Sequence, residues 1–297
     1  MSEAVVQRLS RIPYSIRWRA HHLRLGQHRS RLRGAGLEFD QLKESSYGEG
    51  VRTINWAATA RRGGTPLLVN TYYEEKDLTI MLLVDVSASM DFGSVRLSKK
   101  RLVAEISASL VYSALLSHDR VGFLGFTSIV ETYLPPRRFR CYQQAIPAAI
   151  LHDAYDGTRA DWITVATTLE ERLKRPALLF LLSDFLTDDM LPLSQALARL
   201  QARHDVIALV VTDPREEELP AGYARMAIRD LETGHITRYD FSAKNRQIMA
   251  AAAQTRQRQL QQTFQHLGIA SVTVSPCSDY VQDITRLFLG RRRRTKG

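Results

Sequence analysis

After residue 77, the chain contains short apolar runs separated by longer stretches of mixed polarity. Four of these runs are nearly continuous and bounded by polar residues: LTIMLLVD (78–85), RVGFLGFT (120–127), PALLFLLSD (176–184) and DVIALVVTD (205–213). Strands that are buried on both faces of a parallel sheet have this composition. The pattern therefore predicts four buried parallel strands.

The stretches between these runs carry apolar residues near helical spacing. They are SKKRLVAEISASLVYSALLSHD (98–119), CYQQAIPAAILHDAY (141–155) and the segments 161–174 and 190–203. Strands that alternate with such helices form βαβ units, with helices covering both faces of the sheet. We therefore predict an α/β fold with an open, doubly wound, mainly parallel sheet.

Weaker patterns complete this part of the chain. They predict, in chain order, an antiparallel strand at SIVETYL (128–134), two strands joined by a turn within 224–241, a helix over 243–267 that stops near Gly268, a strand at SVTVSP (271–276) and a last helix from about Asp279. The glycines near the turn and the helix end supply the positive φ that such positions favour.

Composition divides the chain into four segments: 1–35, a basic helical arm; 36–77, a small module rich in Gly, Tyr and Trp; 78–290, the sheet domain; and 291–297, a basic tail. The net charge of +10 comes from the two ends, because the arm has eight arginines against one glutamate and the tail has four arginines and a lysine. Basic ends can bind nucleic acid, an anionic membrane surface or an acidic protein, or they can stay solvated. The sequence has no zinc-finger spacing, RNP-type aromatic motif or GXXG clamp, so nucleic acid ranks below a protein partner. Peripheral membrane contact through the ends remains open.

The sequence also predicts a compartment. No apolar run reaches the roughly 18 residues needed to cross a bilayer, and charges interrupt the N-terminus where a signal peptide would be apolar. We therefore expect a cytoplasmic protein without a transmembrane segment. Cys141 and Cys277 lack the spacing of a zinc site or a disulfide framework, and we expect both to be core residues.

Side chains with oxygen atoms follow two of the apolar runs. Asp85, Ser87 and Ser89 occupy alternate positions after the first run, and Asp184 ends the third. Ligands of doubly wound sheets bind at the carboxyl ends of strands where the strand order reverses, so we expect these side chains to meet there, with a further oxygen from Thr158. Oxygen ligands without His or Cys suit Mg²⁺ or Mn²⁺. The alternative is that the first three residues form only a polar helix cap.

DVSAS (85–89), followed by a distant Gly-Thr and then by Ser-Asp after an apolar strand, resembles the metal-ion-dependent adhesion site, or MIDAS, of von Willebrand factor A domains. The resemblance implies that Ser87, Ser89 and Thr158 approach the metal directly. It implies that Asp85 and Asp184 act mainly through water and hydrogen bonds. Such a metal keeps positive charge and accepts a carboxylate from a partner protein.

The segment upstream resembles the DUF58 family, whose members join a short module to a domain of this kind. The matching positions are Gly36, Phe39, Asp40, Leu42, Gly48, Val51, Arg52, Ile54, Trp56, Ala60 and Arg61. Asn55 and Thr59 depart from the pattern, which has Asp and Ser there. Family members are commonly encoded beside MoxR-type AAA+ ATPases, so the resemblance implies a soluble adaptor of such an ATPase or its client protein.

Arg52, Trp56 and Arg61 are candidate partner-binding residues of this module. The alternative is a packed tryptophan with solvated arginines.

Two other classes of function compete with an adaptor. A hydrolase could use Asp85 as a phosphoryl-accepting nucleophile, but the related phosphatase motif has a second Asp where this chain has Ser87. The GxSxG, Walker A and GxGxxG patterns are absent, so we predict a non-enzyme. A basic scaffold for nucleic acid or anionic membrane would bind through its ends, weaken steeply with salt and ignore Mg²⁺. We therefore predict a non-catalytic, metal-dependent adaptor.

Overall fold

The computed structural model falls into two compact units, with a boundary between Asp77 and Leu78. The residues that the structure describes are 38–45, 54–63, 65–73, 78–94, 97–152, 155, 159–187, 189–217, 225–229, 236–240 and 242–294.

The described part of the N-terminal unit is a strand pair with a short helix. Its elements are β1 (Glu38–Glu44), α1 (Trp56–Arg61) and β2 (Leu68–Tyr73). The two strands are antiparallel. The Asn55 side chain caps α1 by accepting a hydrogen bond from the Ala58 backbone N–H at 2.9 Å, and the buried Thr59 hydroxyl accepts one from the Leu68 N–H at 3.0 Å. An amide cap and a threonine hydroxyl thus make these bonds at two positions, Asn55 and Thr59, that depart from the family pattern.

The larger unit alternates strands and helices. Its strands are β3 (Thr79–Asp85), β4 (Arg120–Phe126), β5 (Val130–Arg137), β6 (Leu178–Ser183), β7 (Asp205–Val211), β8 (Arg225–Arg229), β9 (Ile236–Asp240) and β10 (Ala270–Val274). Its helices are α2 (Lys99–Leu116), α3 (Tyr142–Ile150), α4 (Trp162–Arg172), α5 (Met190–Arg203), α6 (Pro214–Glu217), α7 (Ala243–Leu267) and α8 (Tyr280–Arg294). A 3₁₀ turn, Ala88–Asp91, follows β3.

The sheet has the order β10-β7-β6-β3-β4-β5. All neighbouring pairs are parallel except β4 and β5, which are antiparallel as predicted. Numbered along the chain, the six strands follow the order 3-2-1-4-5-6 of doubly wound folds, which confirms the predicted fold class. The order reverses at β3, the first strand. β8 and β9 form a separate antiparallel pair.

Each face of the sheet packs on its own set of helices. On β3, Ile80 and Leu82 belong to a core cluster shared with α2, α3 and α8, while Met81 and Leu83 belong to a cluster shared with α4, α5 and α7. This is the two-residue alternation of a strand that is buried on both faces. The central strand is therefore fixed from both sides, and its carboxyl end is held in place.

Two surface features bear on the predictions. Helix α7 stops at Gly268, whose φ of 68° is the left-handed conformation of a helix end, as expected. Cys141 and Cys277 are exposed, so the prediction that both are core residues is wrong. Both lie in turns, next to α3 and after β10, where the chain changes direction at the surface.

The edge strand β5 contains Pro135 and Pro136, close to a register irregularity in its pairing with β4.

At the C-terminal end of the described residues, α8 continues to Arg294, through part of the segment predicted as a basic tail. Among the helices of the described residues, none is both long and apolar enough to cross a membrane.

Candidate functional site

The carboxyl ends of β3 and β6 meet at the point where the strand order reverses. These strands are parallel neighbours, with Val84 paired to Leu182. Asp85 is therefore the last residue of one strand, and Asp184 follows the other. Ser87 and Ser89 lie in the turn that leaves β3. The structure thus brings four of the predicted site residues to one edge of the sheet.

Asp85 is only 2% exposed, and both of its carboxylate oxygens are hydrogen-bonded. Oδ1 accepts from the Ser87 backbone N–H at 2.9 Å, and Oδ2 accepts from the Ser183 hydroxyl at 2.6 Å. Burial, followed by the nearby charge of Asp184, raises the pKa of Asp85 to about 6, although the hydrogen bonds from Ser183 and Ser87 oppose the shift. Asp85 therefore ties the ends of two strands and their loops together.

The hydroxyls of Ser87 and Ser89 face each other, with an Oγ–Oγ distance of 3.1 Å. Ser87 is buried, whereas Ser89 is partly exposed. Two residues that alternate along a tight turn thus place two neutral oxygens side by side at the sheet edge. Ser89 is the member of the pair that solvent can reach.

Asp184 is followed by a residue in an unusual backbone conformation. Phe185 has a φ of 51°, in the left-handed region, which costs a non-glycine residue about 1–2 kcal/mol. Its ring stacks on Trp162 with centroids 5.0 Å apart and contacts Phe264 edge-on. Its backbone N–H donates to Ser183 Oγ at 2.8 Å. Packing and this hydrogen bond hold the turn that directs Asp184.

Lys99 is a central residue of this site that the sequence reasoning missed. It is 0% exposed, and its Nζ lies 2.7 Å from Asp184 Oδ2 and 2.6 Å from Glu216 Oε1. Burial acts to lower the pKa of Lys99, but attraction to the two carboxylates outweighs it, so the pKa is raised. A signal was available, because Lys99 and Lys100 occupy the first turn of α2, where the helix dipole disfavours cations.

Glu216 and Asp213 extend the acidic cluster from the end of β7. Burial raises the pKa of Glu216, although Lys99 opposes the shift. Asp213 is fully buried, and it accepts hydrogen bonds from the Ser94 N–H at 2.9 Å, the Ser94 hydroxyl and the Arg215 N–H at 2.9 Å. Burial acts to raise the pKa of Asp213, but these hydrogen bonds outweigh it and the pKa is lowered.

Of the remaining predicted residues, the structure describes Trp56 and Arg61. Thr158 and Arg52 are outside the described residues, so the structure does not place them. Trp56 and Arg61 begin and end α1 in the N-terminal unit, and both are exposed, Trp56 by 59%.

The donor set at the edge of the sheet fits a hard cation. Within the described residues, no group of three His, Cys, Asp or Glu side chains could hold a metal ion, so a cation here would need the hydroxyls of Ser87 and Ser89. Hydroxyl and carboxylate oxygens are ligands that suit Mg²⁺ and Mn²⁺. Negative charge prevails at this edge, because the carboxylates of the cluster outnumber the one ammonium, that of Lys99. These carboxylates are Asp85, Asp184, Asp213 and Glu216.

Comparison with known proteins finds sequence relatives and solved structures that align with part of this chain. The uncharacterized protein Rv1480 of Mycobacterium tuberculosis is 28% identical over 272 residues, which cover 90% of this chain and 84% of the relative. Among solved structures, the conserved hypothetical protein BatB of Bacteroides thetaiotaomicron has a TM-score of 0.46 at 16% identity, over 73% of this chain and 99% of that one. The VWA domain of SpRpn10 has a TM-score of 0.36 at 13% identity, over 46% and 76%.

The family assignment rests on the sequence. The model of the family described as protein of unknown function DUF58 matches residues 41–259. Because this match spans well over half of the sequence, the chain belongs to the DUF58 family.

Proposed function

We propose that this chain is a non-catalytic adaptor that holds a divalent cation, Mg²⁺ or Mn²⁺, and through it binds a carboxylate of a partner protein. The observation that carries the proposal is the pair of hydroxyls of Ser87 and Ser89, 3.1 Å apart at the reversal point of the sheet. Asp85 and Asp184 lie beside them at the ends of neighbouring strands.

The ligand types favour recognition of a negative group. The serine hydroxyls are neutral, and both Asp85 oxygens are engaged by Ser87 and Ser183, so Asp85 supports the loop from behind. Thr158 would add a third hydroxyl, as the MIDAS resemblance implies. A cation held mainly by neutral ligands keeps most of its charge, which it would offer to a Glu or Asp side chain of the partner. Ser89 would be the ligand nearest to that partner, since it is partly exposed.

The same contacts argue against catalysis by Asp85. A phosphoryl-accepting nucleophile must reach its substrate with a free oxygen, but Asp85 is buried and both of its oxygens already accept hydrogen bonds. Within the described residues, the hydroxyls of Ser87 and Ser89 contact each other, and that of Ser87 also bonds to Asp85 rather than to a histidine base. A binding role therefore fits this edge better than phosphoryl transfer.

We propose a MoxR-type AAA+ ATPase or its client, in the cytoplasm, as the partner. Membership of the DUF58 family supports this choice through the gene neighbourhood common in that family. Exposed Trp56 and Arg61 on α1 support a second contact by the N-terminal unit, together with Arg52.

Titration calorimetry with Mg²⁺ and with Mn²⁺ tests the metal site. Wild type should bind one ion, and Ser89→Ala should weaken binding by about tenfold or more, as expected for loss of a ligand. The matched control is Ser109→Ala in α2, whose hydroxyl donates to the Glu105 carbonyl in the same helix at 2.8 Å. If wild type binds neither ion, or if Ser89→Ala binds as tightly as wild type, the proposal is wrong.

Affinity purification tests the adaptor role and its main alternative. A metal-dependent adaptor should retain its ATPase partner in Mg²⁺ and lose it in EDTA and in Ser89→Ala. A basic scaffold that binds through the chain ends should keep its partners in EDTA and release them as salt rises. That second pattern would replace the metal-dependent proposal.

A further inference from the structure

We infer that the ammonium of Lys99 is a built-in competitor of the divalent cation, so that metal binding displaces Lys99 from Asp184 and leaves it on Glu216. The inference rests on the proposed function, because it concerns the same metal site. It adds an internal cation that lowers the affinity of the site for metal.

The first step of the argument is that Asp184 is already neutralised. Lys99 Nζ lies 2.7 Å from Asp184 Oδ2, while the other oxygen, Oδ1, accepts from the Leu186 N–H at 3.1 Å. Both side chains are almost fully buried, so solvent screens the pair very little. A divalent cation near this carboxylate would meet an ammonium already in place, and two positive charges would share one partner.

The second step is that Lys99 has another carboxylate to hold it. Glu216 Oε1 lies 2.6 Å from the ammonium, on the side of β7 and α6. The other oxygen of Glu216 accepts from the Asp213 N–H at 3.3 Å, which anchors it to the end of the strand. If Lys99 leaves Asp184, the ammonium therefore remains paired inside the protein. The cluster thus offers two arrangements of one lysine, bridging both carboxylates or bound to Glu216 alone.

The third step is that the sequence places Lys99 at an unfavourable position for a helix. A lysine in the first turn faces the positive end of the helix dipole, and Lys99 starts α2 directly after its cap, Ser98. Asp184 and Glu216 are the groups that compensate for this position. Lys99 therefore serves the carboxylate cluster rather than the stability of its own helix.

Metal titration of three variants tests the inference, with Mg²⁺ and Mn²⁺ alone as probes. Lys99→Met keeps the length and apolar stem of the side chain but removes the charge, so its dissociation constant for metal should fall by about tenfold or more. Lys100→Met is the matched control: Lys100 is the next residue, is similarly buried, and pairs with Asp91 at 3.0 Å instead. Its dissociation constant should stay within about twofold of wild type, since Asp91 is 54% exposed and solvent screens its pair with Lys100.

Glu216→Gln should change the affinity for metal in the opposite direction. It also tests the inference if Lys99→Met does not fold. Without the Glu216 charge, the ammonium depends on Asp184 alone, so metal should bind several-fold more weakly than in wild type. A crystal structure with Mn²⁺ should show Lys99 Nζ on Glu216 and no longer within hydrogen-bond distance of Asp184.

The outcomes separate this inference from the proposed function. If wild type binds metal but Lys99→Met binds it no more tightly, or if Lys99 still bridges both carboxylates in the Mn²⁺ structure, the competition is refuted and the metal-dependent adaptor stands. An equal gain in Lys100→Met would also refute it, because the effect would then be general charge. If neither wild type nor Lys99→Met binds metal, the proposed function fails, and the competition fails with it.

Discussion

His204 should make the stability of the larger unit depend on pH. The ring lies at the end of α5 and is 4% exposed, and among the described residues neither ring nitrogen has a hydrogen-bond partner. Burial, with a smaller effect from the positive charge of Arg203, lowers the pKa of His204 from 6.5 to about 4. The negative charge of Glu170 on α4 acts to raise this pKa and opposes the shift only in part.

The direction of this pH dependence follows from which state, folded or unfolded, takes up the proton first as the pH falls. The unfolded chain protonates this histidine near pH 6.5, and the folded protein only near pH 4, so the free energy of unfolding falls as the pH drops between these values. At pH 8 the ring is neutral in both states and has no such effect. Between pH 8 and pH 4.5 the loss is about 2–3 kcal/mol, since each pKa unit is worth about 1.4 kcal/mol. His204→Leu and His204→Gln should both lack this loss.

Guanidinium chloride unfolding at pH 8, 6.5, 5.5 and 4.5, followed by circular dichroism, measures the effect. The comparison is the difference between variant and wild type at each pH. Asp85 titrates in the opposite sense, since its raised pKa favours the folded state at low pH and that stability is lost as the pH rises through about 6. This contribution is common to wild type and variants and cancels in the difference. His266→Gln, an exposed histidine on α7, should leave the profile unchanged. Parallel profiles for wild type and both His204 variants would refute the reasoning.

Two predictions concern the ends of helices, and the same unfolding assay at pH 8 measures both. Asp161→Ala should destabilise the protein by about 1–2 kcal/mol, because the carboxylate accepts hydrogen bonds from the Ile163 and Thr164 N–H groups at 2.9 and 3.4 Å. Asp161→Asn, which keeps a cap, should lose clearly less; an equal loss would mean that the cap is not the cause. Gly268→Ala should cost about 1 kcal/mol from its left-handed backbone alone, since an added Cβ would have no atom within 4 Å. Gly268→Asn should cost less, and a larger loss with Asn than with Ala would contradict this explanation.

The sequence pattern was sufficient for the sheet and for part of the site. Buried strands have a direct signature in continuous apolar runs, and parallel strands bring their carboxyl ends together. For that reason Asp85 and Asp184, which are 99 positions apart in the sequence, could be expected to meet. The helix stop at Gly268 could likewise be predicted, since glycine adopts the left-handed conformation at little cost.

The missing part of the site depends on contacts between distant segments, and the local sequence marks Lys99 only by its unfavourable position in the first turn of α2. Lys99 belongs to a helix, and Glu216 to a short helix after β7 that is distant in the sequence. Whether a lysine is buried depends on what packs around it, and the pattern of α2 alone does not show this. His204 was missed for the same reason, because a polar residue at a helix end is exposed in most proteins. For the two cysteines the prediction was wrong in the opposite sense: they were expected to be buried and are exposed. Their residue type favours burial, but their turns lie at the surface.

The two prolines of β5 have a consequence for association between chains. A strand at the edge of a sheet can template the addition of a strand from another molecule, which leads to domain swapping or aggregation. Pro135 and Pro136 lack backbone N–H groups, so this stretch of β5 has no donors for a strand of another molecule. The two prolines lie where the pairing with β4 is irregular, because Leu134 pairs with Phe123 but Arg137 pairs with Val121. This edge resists growth of the sheet into a neighbouring molecule, and β10 at the opposite edge is left as the side where an added strand could pair.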